Sequence, residues 1–133
     1  MKKIVISIFI AFVLFGCSNK KADVKAVLDS ILTVHDKVMG ADGKLMDNKL
    51  KLDTLLKKEV AAGKDSVKIL ITKLAAADSA MDIWMNNFKS EYKGKTDEET
   101  ATYMHDQKKL IMSIDSQIKA AVSESNKYLL KIK

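Results

Sequence analysis

Apolar residues recur along most of the chain at helical spacing. Between about Ala22 and Ala62, the residues Val24, Ile31, Val38, Leu45 and Leu52 follow one another every seven positions, and Leu28, His35 and Leu56 occupy much of a companion row. Such a repeat marks a helical seam, because a period near 3.5 keeps one stripe of the helix against its neighbour. The stretch Gly40-Ala41-Asp42-Gly43 threatens continuity, since each glycine costs about 1 kcal/mol relative to alanine inside a helix. The seven-residue phase nevertheless passes through it unchanged. The pattern predicts one helix with a weak point, roughly 60 Å long at 1.5 Å per residue, rather than two helices and a turn. Gly63 stands where a left-handed C-terminal cap is expected.

A second periodic segment runs from about Ser66 to Lys93. Val67, Leu70, Ile71, Leu74, Ala77, Met81, Trp84, Met85 and Phe88 form its broad apolar face. Asp65 or Ser66 is suited to cap its start and Gly94 to end it. The third begins at Thr96-Asp97-Glu98-Glu99. This is a capping box, with acids at the positive end of the helix. It continues through Tyr103, Gln107, Leu110, Ile114, Ile118, Ala121, Tyr128, Leu129 and Ile132. Two short connections make sequential helices antiparallel. The expected fold is all-α: a long antiparallel up-down-up three-helix bundle over residues 23–133.

The opening segment breaks this pattern. Met1-Lys2-Lys3 is a short positive start, and Ile4 to Phe15 is apolar except for Ser7. That run fits a signal-peptide core and falls short of the roughly 20 residues needed to span a bilayer. Leu14, Gly16 and Cys17, followed by the polar Ser18-Asn19-Lys20-Lys21, match a lipobox. The segment resembles a bacterial lipoprotein signal. The resemblance implies cleavage before Cys17, a diacylglyceryl group on its thiol and acylation of the new amine. Residues 1–16 are then the signal peptide and 17–22 a lipidated tether. The competing reading is a buried cysteine behind a signal anchor. Two or three acyl chains, at about 0.8 kcal/mol per buried methylene, would hold the protein on the lipid bilayer almost permanently. No acidic residue follows Cys17 closely, whereas surface-export signals of Bacteroidota lipoproteins carry acids there. The resemblance therefore implies the periplasmic face of the outer membrane.

Composition narrows the function classes. With 133 residues the chain suits one small domain. Absence of proline and the presence of only five glycines argue against a turn-rich sandwich or barrel. A single cysteine excludes an internal disulfide and a cysteine zinc cluster. The charge is +6, or +4 once residues 1–16 are removed, and all 23 basic residues are lysine. Readers of nucleic-acid sequence rely on the planar fork of arginine. These lysines are instead spread among aspartates. A solvated mixed-charge surface explains them without a nucleic-acid partner, and attraction to anionic headgroups is the functional alternative.

Two motifs, His35-Asp36-Lys37-Val38-Met39 and Ala80-Met81-Asp82-Ile83-Trp84-Met85, resemble those of a family of small Bacteroidota lipoproteins often labelled viral A-type inclusion proteins. The similarity extends over most of the chain after Cys17, including the spacing and the closing tyrosine-bearing helix. Many members carry proline after the Val-Met pair, where this chain has Gly40. The resemblance implies the same location and helical fold and implies no activity.

Enzyme signatures are missing. The sequence has no Gly-rich phosphate loop, no His-Glu-x-x-His and no nucleophile elbow. Leu32 and Thr102 stand three residues before the histidines, which excludes a di-iron Glu-x-x-His pair. Asp42 and Asp47 lack the spacing of a calcium loop. His105-Asp106 reads as a surface pair rather than half of a triad. The protein is therefore expected to be non-enzymatic and to need no cofactor.

Six methionines remain after Cys17: Met39, Met46, Met81, Met85, Met104 and Met112. Most follow the core period, which suits flexible core filler packed near Trp84. The alternative is a soft-metal site of the Cu(I) type, with His35, Met39, Met81 and Met85 as candidate ligands. His35–Met39 and Met81–Met85 are each four apart and share a helix face. Folding the hairpins is expected to bring Met46 level with Met81 and Met85 level with Met104. His35 also suits a polar seam residue that fixes register. Trp84, the sole tryptophan, is expected to pack in the core with its indole N–H on Asp36 or a carbonyl. It is also a candidate anchor for an envelope protein partner. Tyr92, Tyr103 and Tyr128 fall at helix flanks. The functional expectation is a lipid-anchored helical binding module of the cell envelope, with soft-metal sequestration as the alternative.

Overall fold

The computed structural model describes residues 20–58 and 61–132. Three α-helices make the bundle: α1 (Lys20–Lys58), α2 (Ala61–Asn87) and α3 (Asp97–Lys131). Each packs against the other two, and the described residues contain no strand. The expected signal peptide and Cys17 lie outside the described residues. Lys20–Ala22, expected as tether, already belong to α1.

Cross-helix contacts fix the directions. Asp23 meets His105, and Asn48 meets Ser125, so α1 and α3 run parallel. His35 lies against Trp84, and Asp42 lies near Asp78, so α2 runs antiparallel to α1. Lys73–Glu124 and Phe88–Tyr103 show the same for α2 and α3. The topology is up-down-up.

The core is built from seven-residue rows. On α1 the buried row is Ile31, Val38, Leu45 and Leu52, and on α2 it is Val67, Leu74 and Met81, joined by Leu70, Ala77 and Trp84. The α3 rows are Met104, Ile111, Ile118 and Ser125, and Ile114 and Ala121. α1 is continuous across Gly40–Gly43. Both glycines fall on its outer face, where an added Cβ would meet nothing within 4 Å. Val38 and Leu45 carry the seam past them.

Several expected boundaries and core positions differ. Gly63 does not cap α1; it lies in the first turn of α2, which starts before Asp65 and Ser66. Among the described residues positive φ occurs only at Gly94 (φ 77°). α2 stops at Asn87 rather than Lys93. There the apolar row has run out, Phe88 N–H makes the last bond to the Trp84 carbonyl, and Lys89 N–H donates to Tyr103 Oη. Gly94 then turns the chain into Thr96, whose capping box with Glu99 is formed as expected. On α3, Leu110 is 48% exposed and its neighbour Ile111 is buried. The row through Leu110 continues into Gln117 and Glu124, whereas that through Ile111 continues into Met104 and Ile118. Val24, Leu28, Leu56, Tyr103 and Tyr128 are only half-buried, at the margins of the core.

Candidate functional site

The end of the bundle farthest from Lys20 carries an open groove of about 730 Å³ between the C-terminal parts of α1 and α3. Leu50, Leu55, Leu129, Leu130 and Ile132 give it an apolar lining. Leu50 and Leu130 are 63% and 68% exposed, the highest values among the large apolar side chains described. On α1, Lys37, Lys44, Lys51 and Lys58 stand every seven residues along the flank that turns towards α3, and the last three edge the groove. Lys51 pairs with Asp47 on the same helix. Nearer the middle, Lys37 faces Lys119, which also bonds Asp115; contact with Lys119 holds the Lys37 pKa below its ordinary value.

Asn48 sits at the inner margin of this groove and is buried. Its amide donates to Ser125 Oγ (2.8 Å) and Asn126 Oδ1 (2.9 Å), and Ser125 Oγ donates to the Ala121 carbonyl. Asn48 continues the row Val27, Val34, Ala41, so it is a polar residue at a seam position. The sequence reading missed it, although an asparagine spaced by sevens from apolar residues was the available signal.

At the opposite end, aromatic rings form a column across the α2–α3 connection. Trp84 stacks on Phe88 at 4.7 Å, Phe88 lies parallel to Tyr103, and Tyr92 stacks on Tyr103 at 4.3 Å. His35 from α1 also lies against Trp84, with ring centroids 6.1 Å apart and planes tilted by 38°. Trp84 is 4% exposed, so its indole is core and presents no surface anchor to a partner. Its Nε1–H has no acceptor among the described residues. Asp36, expected as that acceptor, instead lies 3.2 Å from His35 Nδ1.

The methionines divide. Met81 and Met104 are buried, as core filler should be, whereas Met39, Met46, Met85 and Met112 are between 37% and 50% exposed. Pairing His35 with Trp84 and Asp42 with Asp78 puts Met39, not Met46, level with Met81. Met85 lies in the α2 row of Asp78, which turns towards α1. The structure thus brings His35, Met39 and Met85 to the α1–α2 face and withdraws Met81 into the core.

That face is acidic. Partial burial of Asp78, reinforced by Asp82 and Asp42, raises its carboxyl pKa. No group of three or more histidine, cysteine or acidic side chains suited to a metal ion occurs among the described residues. His105 bonds Asp23 of α1 rather than its neighbour Asp106, which pairs with Lys109. No helix among the described residues is long and apolar enough to cross a membrane. No protein-family model, curated protein or solved structure matches this chain.

Proposed function

We propose that the protein is a non-enzymatic lipoprotein, acylated at Cys17 on the periplasmic face of the outer membrane, that binds another envelope component through the groove between α1 and α3. The sequence around Cys17 supports the anchor. The observation that carries the binding role is the groove itself: exposed Leu50, Leu130 and Ile132 framed by Lys44, Lys51 and Lys58. Clustered exposed apolar side chains mark interaction surfaces, and a lysine border selects an acidic counterpart. The occupant that fits is an acidic amphipathic helix of a partner protein, which would lie beside α1 and α3 as a fourth helix. The bundle would hold this groove away from the lipid, because Lys20 and Lys44 are separated by about 36 Å of helix at 1.5 Å per residue.

Fatty-acid labelling in cells tests the anchor: wild type should take up label and Cys17→Ala should not. An unlabelled wild-type protein would overturn that part. A photo-crosslinking residue at Leu130 in membranes tests the groove, with one at exposed Ile83 on α2 as control. Leu130 should give one discrete polypeptide adduct that disappears when Lys44, Lys51 and Lys58 become glutamate. No adduct, a lipid adduct, or equal adducts from both positions would overturn the protein-partner reading.

A further inference from the structure

We infer that His35, Met39 and Met85 form a binding site for one soft monovalent cation, Cu(I) or Ag(I), on the α1–α2 face beside Trp84. Exposure together with placement carries the argument, since Met46 and Met112 are as exposed but stand away from His35 in the register. Core packing accounts for Met81 and Met104, which are buried, but not for Met39 (41% exposed) or Met85 (37% exposed). Both belong to the same α1–α2 face as His35, which is half-buried. Met39 is one turn along α1 from His35 and shares its side of the helix. Met85 follows Trp84, whose ring meets His35 from α2. It is also two turns from Asp78, whose carboxyl feels the charge of Asp42 on α1. Register therefore brings one imidazole and two thioethers within one helical turn of each other on the same face.

The histidine is oriented for this role. Asp36 Oδ1 lies 3.2 Å from His35 Nδ1. The tautomer with its proton on Nδ1, facing that carboxylate, would leave the Nε2 lone pair available, which is the usual way an outer carboxylate prepares a histidine ligand. Two thioethers and an imidazole are soft donors and suit a d¹⁰ monovalent ion better than Mg²⁺ or Ca²⁺. Asp36, Asp42, Asp78 and Asp82 add negative charge to this side of the molecule, opposed by Lys49 near Asp78.

Trp84 is the sole tryptophan, so its fluorescence reports on this place alone. The full chain carrying Cys17→Ser, which removes the only thiol, is titrated with Ag(I) in detergent. One equivalent should quench Trp84 in a saturable way. Met39→Leu, Met85→Leu and His35→Leu should each weaken binding by roughly a hundredfold or more, on the order of 2.7 kcal/mol. Met46→Leu and Met81→Leu should leave it unchanged within about threefold, and all five variants should keep the far-ultraviolet spectrum of an α-helix. No saturable binding, or Met85→Leu binding as tightly as the parent, would overturn the site. Equal loss in Met81→Leu and Met85→Leu would overturn it too, because a buried sulfur would then be doing what the exposed one is assigned. The site and the α1–α3 groove lie on different faces, so either can fail without the other.

Discussion

Asn48 Nδ2 lies 2.8 Å from Ser125 Oγ, and 77 positions of chain separate the two residues. Both are buried in an otherwise apolar seam. A slip of one turn between α1 and α3 would set each polar group against hydrocarbon, so the pair fixes the register of the parallel helices. Asn48→Ala should destabilise the bundle by about 1–3 kcal/mol, because Ser125 and Asn126 lose their shared donor. Urea denaturation of single and double variants should give a coupling of at least about 0.5 kcal/mol between Asn48 and Ser125. Strict additivity would remove this pair as a register device.

Gly40 and Gly43 lie in the exposed interior of α1 with open space at Cβ. Replacing either by alanine should stabilise the protein by about 0.5–1 kcal/mol, through helix propensity and a less mobile unfolded chain. Gly94, at φ 77°, should respond with the opposite sign. Thermal unfolding of the three alanine variants checks the contrast, and a loss of stability at Gly40 or Gly43 would point to a role in binding geometry or bending instead.

Thr96 Oγ1 accepts from Glu99 N–H, and the Glu99 carboxylate accepts from Thr96 N–H. Thr96→Ala should cost about 0.5–2 kcal/mol. The bonds to Thr96 lower the Glu99 pKa. A lowered carboxylate contributes stability that is present above its unfolded value and is lost as pH falls through its folded value. Thr96→Ala keeps the backbone N–H that lowers this pKa most, whereas Glu99→Ala removes the carboxylate, so the deficit of Glu99→Ala should shrink in acid. A deficit that stays constant from neutral to strongly acidic pH would contradict this linkage.

Asp78 has the opposite sign. Partial burial, then Asp82 and Asp42, raise its pKa. The folded chain holds this proton more tightly than the unfolded chain, so stability declines as pH rises through the window between the ordinary and the raised values. Above that window the cost is fully present. Asp78→Asn should raise the melting temperature at neutral pH, and the gain should vanish in acid. A neutral-pH melting temperature at or below wild type would refute it.

Helix number, topology and the α1 seam were legible because the apolar rows of α1 and α2 are long and keep one phase. α3 was harder: Leu110, Ile111 and Met112 are consecutive and apolar, so local pattern does not choose among them. The choice is made by burial of Met104 and Ile118 one heptad away on either side. The end of α2 was misread because Lys89, Glu91 and Lys93 suit an exposed helical face as well as a loop. Tyr103, distant in sequence, draws Lys89 and Tyr92 out of the helix. Of the candidate residues, His35, Met39 and Met85 were identifiable by spacing, whereas the withdrawal of Met81 depends on the rotation of α2. The groove had no signature in any single segment, since it arises from where α1 and α3 end relative to one another.

The parallel pairing of α1 with α3 also sets an order of assembly. α1 and α2 are neighbours in sequence and can close as a hairpin before α3 is available. Contacts such as Asn48–Ser125 must wait until nearly the whole chain is present, and long loops close late because their entropy must be lost first. Until then the α1 flank bearing Val27, Ile31, Val38, Leu45 and Leu52 has only α2 to cover it. A nascent chain stalled before Ile111 would display a long apolar stripe to its surroundings, and such transiently exposed surface makes a folding intermediate prone to aggregate.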